Sequence, residues 1–135
     1  MTDSSGVAEF YRDFLNEEGY RAHIDEDGDV AFKYEGGNYF ISIYKDDEGY
    51  FQLVFPSFWP IESAEEFERA KMACIETTRR MKAAKVFLVR DNTDVTATVE
   101  AFVDSREDVR KTFSRYIGAI QSARSTFRDI MRGDS

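Results

Sequence analysis

Residues 20–55 read YRAHIDEDGDVAFKYEGGNYFISIYKDDEGYFQLVF, and their two-residue alternation decides the fold. Tyr20, Ala22 and Ile24 alternate with Arg21, His23 and Asp25 before the chain turns through Glu26-Asp27-Gly28. Val30, Phe32 and Tyr34 alternate with Ala31, Lys33 and Glu35 up to Gly36-Gly37. A glycine pair between two such runs predicts a tight hairpin, because the primed turns that join strands need positive φ. A third strand runs from Asn38 to Lys45, and Asp46-Asp47-Glu48-Gly49 closes another hairpin. Tyr50 to Phe55 follows, with Phe51, Leu53 and Phe55 on one face. Four short strands, each reversing on a turn, make an antiparallel meander.

Upstream, Val7, Phe10, Tyr11, Phe14 and Leu15 fall on one helical face and Gly19 is a natural stop, which predicts a helix over about residues 6–18. Downstream, Phe55-Pro56-Ser57-Phe58-Trp59-Pro60-Ile61 holds both prolines of the chain. Proline cannot donate to a ladder, so the sheet is expected to end at this aromatic connector. Ser63-Ala64-Glu65-Glu66 is a capping box that opens a second helix. One face of that helix carries Phe67, Ala70, Lys71, Cys74, Thr78 and Met81, and the opposite face Glu65, Arg69, Glu76 and Arg79.

From Ala84 to Arg90, the unbroken run Val86-Phe87-Leu88-Val89 has the pattern of a strand covered on both sides. Asp91-Asn92-Thr93-Asp94 turns the chain, and Val95, Ala97, Val99, Ala101 and Val103 then alternate with Thr96, Thr98 and Glu100. Asp104 or Ser105 caps a long last helix with the stripe Val109, Phe113, Tyr116, Ile117, Ile120, Ala123, Phe127 and Ile130, interrupted by Gly118. The predicted order is α-β-β-β-β-α-β-β-α. This is an α+β fold, an antiparallel β-meander sheet with helices on one face. No repeat or long linker divides the chain, so residues 1–135 are expected to form a single domain with its ordered core at about 6–131.

Hydrophobic residues make up 42% of the chain and aromatic residues 15%, with 12 Phe and 7 Tyr, so the core is expected to be ring-rich. The net charge is −8 and unevenly placed. Residues 1–105 hold 11 Lys/Arg against 22 Asp/Glu, a balance of −11, while residues 106–135 hold 7 against 4, a balance of +3. An acidic body repels phosphate backbones and anionic lipid heads, which disfavours nucleic acid and membrane surfaces as partners. With the single cysteine Cys74 no internal disulfide is possible. Met1-Thr2-Asp3-Ser4-Ser5-Gly6 lacks the basic and apolar regions of a signal peptide, and no apolar run approaches the ~20 residues of a membrane span. A cytoplasmic location is expected.

The inventory of catalytic groups is thin. His23, the only histidine, falls on the outer face of a strand between Arg21 and Asp25 with no nucleophile beside it in sequence. Cys74 lies mid-helix among apolar neighbours, the setting of a structural thiol. One Cys and one His cannot build a zinc site. The acidic turns fail as calcium loops: with Gly28 at position six of an EF-hand, His23 takes position one and Tyr34 position twelve. Gly36-Gly37 lacks the helix and the Lys-Ser/Thr pair of a phosphate loop. No enzyme activity, cofactor or metal is expected. The competing reading is a small-molecule-binding domain or enzyme that uses a cup between sheet and helices, lined by Tyr34, Tyr44 or Tyr50.

Two features stand out. Phe58, Trp59 and Ile61 in the connector, rimmed by Glu62, Glu65 and Glu66, have the make-up of a protein-binding patch or of rings capping the core. The last helix carries Arg106, Arg110, Lys111, Arg115, Arg124, Arg128 and Arg132 outside its apolar stripe. Taken together, these residues resemble those of a known family. The helix end Leu15-Asn16-Glu17-Glu18-Gly19-Tyr20, the Asp27-Gly28-Asp29 hairpin, the turn Glu35-Gly36-Gly37-Asn38-Tyr39 and the connector Phe58-Trp59-Pro60-Ile61 before a Glu-rich helix are similar to those of the YbjN family, proposed bacterial sensory transduction regulators. The element order resembles the class I type III secretion chaperone fold, over about residues 6–131. The resemblance implies a small acidic protein that binds other proteins without a cofactor, often as a dimer, and it brings no catalytic residues with it. The surplus of rings points the same way. A homodimer is expected, joined near Phe58, Trp59 and the second helix.

Overall fold

The computed structural model describes residues 6–89 and 91–133. The N-terminal residues 1–5 and Arg90, where the strand from Ala84 is expected to end, lie outside the described residues. The elements are α1 (Val7–Glu17), β1 (His23–Ile24), β2 (Val30–Tyr34), β3 (Gly37–Ser42), β4 (Tyr50–Pro60), α2 (Ala64–Arg80), β5 (Ala84–Leu88), β6 (Asp94–Phe102) and α3 (Arg106–Met131). The order is the expected one. The six strands form one sheet, β1-β2-β3-β4-β6-β5, in which every neighbouring pair is antiparallel.

Alternation aims one side chain in two at the helices. Val30 and Phe32 of β2, Tyr39 and Ile41 of β3, Phe51, Leu53 and Phe55 of β4, and Val95, Ala97 and Val99 of β6 are all buried on that side. α3 packs along β4, β5 and β6, α1 covers β1 and β2 and touches α3, and α2 packs on β5 and α3. The core is rich in rings: Tyr39 stacks on Phe55 at 4.4 Å, and Phe14 meets Phe113 edge-on at 5.5 Å. Ser105 caps α3 with a full capping box, its hydroxyl accepting from the Asp108 amide while Asp108 accepts from the Ser105 amide.

Five local readings are corrected. The sheet does not end at Phe55. β4 runs on to Pro60, pairing Trp59 with Val95 and Pro60 with Asp94. The prolines are tolerated because the ladder is irregular between Phe55 and Trp59, where four steps along β4 oppose two along β6 and Ser57 has φ 47. In the β2–β3 hairpin the turn is Glu35-Gly36, both with positive φ, and Gly37 already pairs with Tyr34 in β3. Gly37 serves packing instead, since a Cβ there would lie 2.9 Å from the Phe55 ring.

The first strand shrinks to two residues because Arg21 has φ 54 and Asn16 takes both backbone groups of Ala22. β5 is not covered on both sides: it is the sheet's edge, and Lys85 and Phe87 point away from the helices. Finally, α2 buries Ala70, Ala73, Cys74 and Thr77 rather than the expected face with Lys71 and Thr78. Those small residues let the helix lie close against its neighbours, which leaves the longer Lys71 on the flank.

Candidate protein-interaction surfaces

The residues that chemistry singled out are kept apart by the fold. His23 is exposed on the two-residue β1, paired with Ala31. Cys74 is buried in α2, and burial pushes its thiol up to about 11, out of the thiolate range at neutral pH. Among the described residues no cluster of three or more His, Cys, Asp or Glu could hold a metal ion. Tyr34, Tyr44 and Tyr50 do not converge. Tyr34 packs with Tyr20 and Tyr39 on the helix side, whereas Tyr44 and Tyr50 meet on the opposite side. A cleft of about 800 Å³ lies elsewhere, between Phe10, the β3–β4 turn and the start of α3. Arg106 and Glu48 are ion-paired in its wall. No described helix is long and apolar enough to cross a membrane.

The connector rings stand against α3. Phe58 stacks on Phe55 at 5.3 Å and meets Phe127 edge-on at 5.5 Å, and Trp59 meets Phe127 at the same distance. Phe127 is fully buried, while Phe58, Trp59 and Ile61 are half-buried. Trp59, four residues on from Phe55, keeps the helix side opposite Val95, and the bulge brings the adjacent Phe58 onto Phe127 as well, both rings staying half-buried. Ile61 then leads into α2 through Glu62, whose amide donates to Glu66 Oε1, and Ser63, which accepts from the Glu66 amide.

All three helices lie on one side, and among the described residues no helix lies on the other face of the sheet. A polar network spans it. Glu100 of β6 accepts from Lys85 Nζ at 3.1 Å, Gln52 Nε2 at 3.0 Å and Thr98 Oγ1 at 2.8 Å, and Tyr44 donates to Gln52 Oε1 at 2.8 Å. Burial works against the charged form of Glu100, but these donors and Tyr50 outweigh it and hold the carboxyl down at about 2. Burial and the bond to Glu100 push Tyr50 up to about 12. At the end of this face Phe102 is 87% exposed.

A second uncovered surface is the outer side of α2, where Met72 is 64% and Ile75 62% exposed. Glu65, Glu68, Met72, Ile75 and Arg79 recur at alternating steps of three and four, so they form one straight seam on the helix. The sequence reading missed this seam because it followed Phe67, Ala70, Lys71, Cys74, Thr78 and Met81 on one face and assigned Met72 and Ile75 to neither side. Phe102 was legible, since it continues the outward phase of Thr98 and Glu100.

No family model and no curated protein matches the chain. Solved structures do. An uncharacterized protein from Methanothermobacter thermautotrophicus superposes with a TM-score of 0.62 at 15% identity, covering 96% of this chain and 99% of that one. The HopA1-SchA chaperone-effector complex gives 0.59 at 14% identity, covering 98% and 97%. YbjN from E. coli, a proposed transcription regulator, gives 0.58 at 12% identity, covering 93% and 90%. The fold resembles that of a chain in this chaperone-effector complex and that of YbjN. At these identities the likeness concerns architecture, and it runs nearly the whole length of the chain.

Proposed function

We propose that this chain is a non-enzymatic, cytoplasmic protein-binding module of the YbjN kind, chaperone-like or regulatory, and that it works as a homodimer. The observation that carries the reading is the α2 seam. Two large apolar side chains lie open to solvent at its centre, which a helix docked only by its inner face has no use for. The seam is also self-complementary. Glu65 and Glu68 lie before the apolar pair and Arg79 after it, so a second copy running antiparallel about a two-fold axis at Met72 and Ile75 places acid against base at both ends. Phe58, Trp59 and Ile61 enter α2 directly, and their outer edges form the shoulder on which a partner protein rests.

Sedimentation velocity tests this. The wild type should sediment as a dimer of 15.6 kDa chains at tens of micromolar, and Met72→Glu with Ile75→Lys should give a folded monomer. A wild-type monomer, or a variant that stays dimeric, would remove the seam from the reading.

A further inference from the structure

Three rings lie together at one end of the sheet face that carries no described helix. Phe102 of β6 lies directly opposite Tyr50 of β4, with ring centroids 6.0 Å apart, and Tyr50 meets Tyr44 edge-on at 5.0 Å. Phe102 is 87% and Tyr44 43% exposed. The row is held by its neighbours on the same face, because Glu100 anchors Tyr50 and, through Gln52, the hydroxyl of Tyr44. A surface ordered before binding loses little freedom on binding.

The same end of the sheet carries carboxylates. Asp46 and Asp47 are exposed in the turn from Tyr44 to Tyr50, and exposed Asp104 follows Phe102 by two residues. The Val103 amide donates to Gly49 O at 2.8 Å, which ties the turn to the end of β6, and Asp46, Asp47 and Asp104 stand around the cleft at this end with Phe10 and Arg106. Lys45 is the one cation in that turn, and Glu48 is paired with Arg106. Ring faces and carboxylates both attract cations, and the exposed Phe102 calls for an apolar contact. The chain itself seats guanidinium groups on rings, with Arg110 5.3 Å from Phe10 and Arg124 5.9 Å from Phe55.

We propose that the row Tyr44–Tyr50–Phe102 docks a cationic segment of a protein partner, one in which Arg or Lys flanks an apolar side chain. The apolar residue sits on Phe102, and its charged neighbours lie over the tyrosine rings and against Asp46, Asp47 and Asp104. This rests on the protein-binding reading and specifies the partner's chemistry.

The test is a selection of random peptides displayed on phage against the wild-type chain, followed by titration of the synthesised winners. The winners should be basic with an apolar residue between cations, and raised salt should weaken them. Phe102→Ser and the turn variant Asp46→Lys with Asp47→Lys should each cost at least tenfold in affinity while melting with the wild type. Neutral or acidic winners, or affinities unchanged in both variants, would overturn the proposal. Winners that ignore both variants but shift Trp59 fluorescence would refute this row and leave the protein-binding reading standing. A wild type that enriches no peptide would refute both.

Discussion

Replacing Glu100 by Gln removes one charge from the open face and keeps the shape of the side chain. In the wild type the carboxyl titrates at about 2 instead of 4.5, and its side chain is 24% exposed. At about 1.4 kcal/mol per pH unit that depression corresponds to about 3 kcal/mol, and partial exposure reduces it to about 2 kcal/mol. Gln also places donors among the Lys85 ammonium, the Gln52 amide and the Thr98 hydroxyl. The sign follows from the direction of the shift. A carboxyl depressed by folding stabilises the native state fully above its unfolded value near 4.5, and that stability is lost as pH falls from there through about 2. Urea unfolding of both proteins at a series of pH values is the assay. The wild type should be more stable than Glu100→Gln by about 2 kcal/mol at pH 7, with the gap narrowing steadily below about pH 4.5. Taking the difference between the two cancels the other carboxylates. A gap under about 0.5 kcal/mol at neutral pH, or one that does not change with pH, would refute the network as an energetic unit.

Gly118 lies exposed in α3, and a Cβ there would meet nothing within 4 Å, so Gly118→Ala should stabilise the chain by about 1 kcal/mol and raise the Tm by roughly 3 °C. A lower Tm would contradict this. The Thr78 hydroxyl accepts from the Val86 amide at 2.9 Å and donates to Val86 O, closing the β5 edge at that point. Thr78→Val should cost about 1 to 2 kcal/mol and make the chain aggregate on heating, as seen by light scattering. Gly37→Ala presses a methyl against the Phe55 ring and should cost about 1 to 3 kcal/mol. Adding Phe55→Leu should then cost less than it does alone, and two independent costs in denaturant titrations would count against the clash.

The strands and helices were legible because their signals are local. Alternation from Val30 to Phe55 depends only on each strand having one buried face, and the Ser63 and Ser105 caps act within a turn. Where the reading failed, a contact from elsewhere in the fold decided. Pro56 and Pro60 look like breakers, but β6 supplies a ladder in which a bulge absorbs them. Gly37 looks like a turn residue, but its role is set by Phe55, eighteen positions along the chain. The run Val86 to Val89 gives no sign of its place at the sheet edge, which follows from strand order. The surfaces follow the same division. Phe58 and Trp59 were visible as unusual residues, while the contact of Phe58 with Phe127 depends on the bulge. Met72 and Ile75 became prominent only once the small residues Ala70, Ala73 and Cys74 were seen to carry the inner face of α2.

The central claim is that the chain pairs with itself through α2, and charge reversal in trans tests it most directly. One variant carries Glu65→Arg and Glu68→Arg, the other Arg79→Glu and Arg80→Glu, all exposed positions. In an antiparallel seam each variant repels its own copy at both ends, whereas the two variants together match at both ends. Sedimentation velocity at tens of micromolar should show a wild-type dimer, two monomeric variants and a dimer again when the variants are mixed. Variants that stay dimeric alone, or a mixture that stays monomeric beside a dimeric wild type, would contradict pairing through this helix.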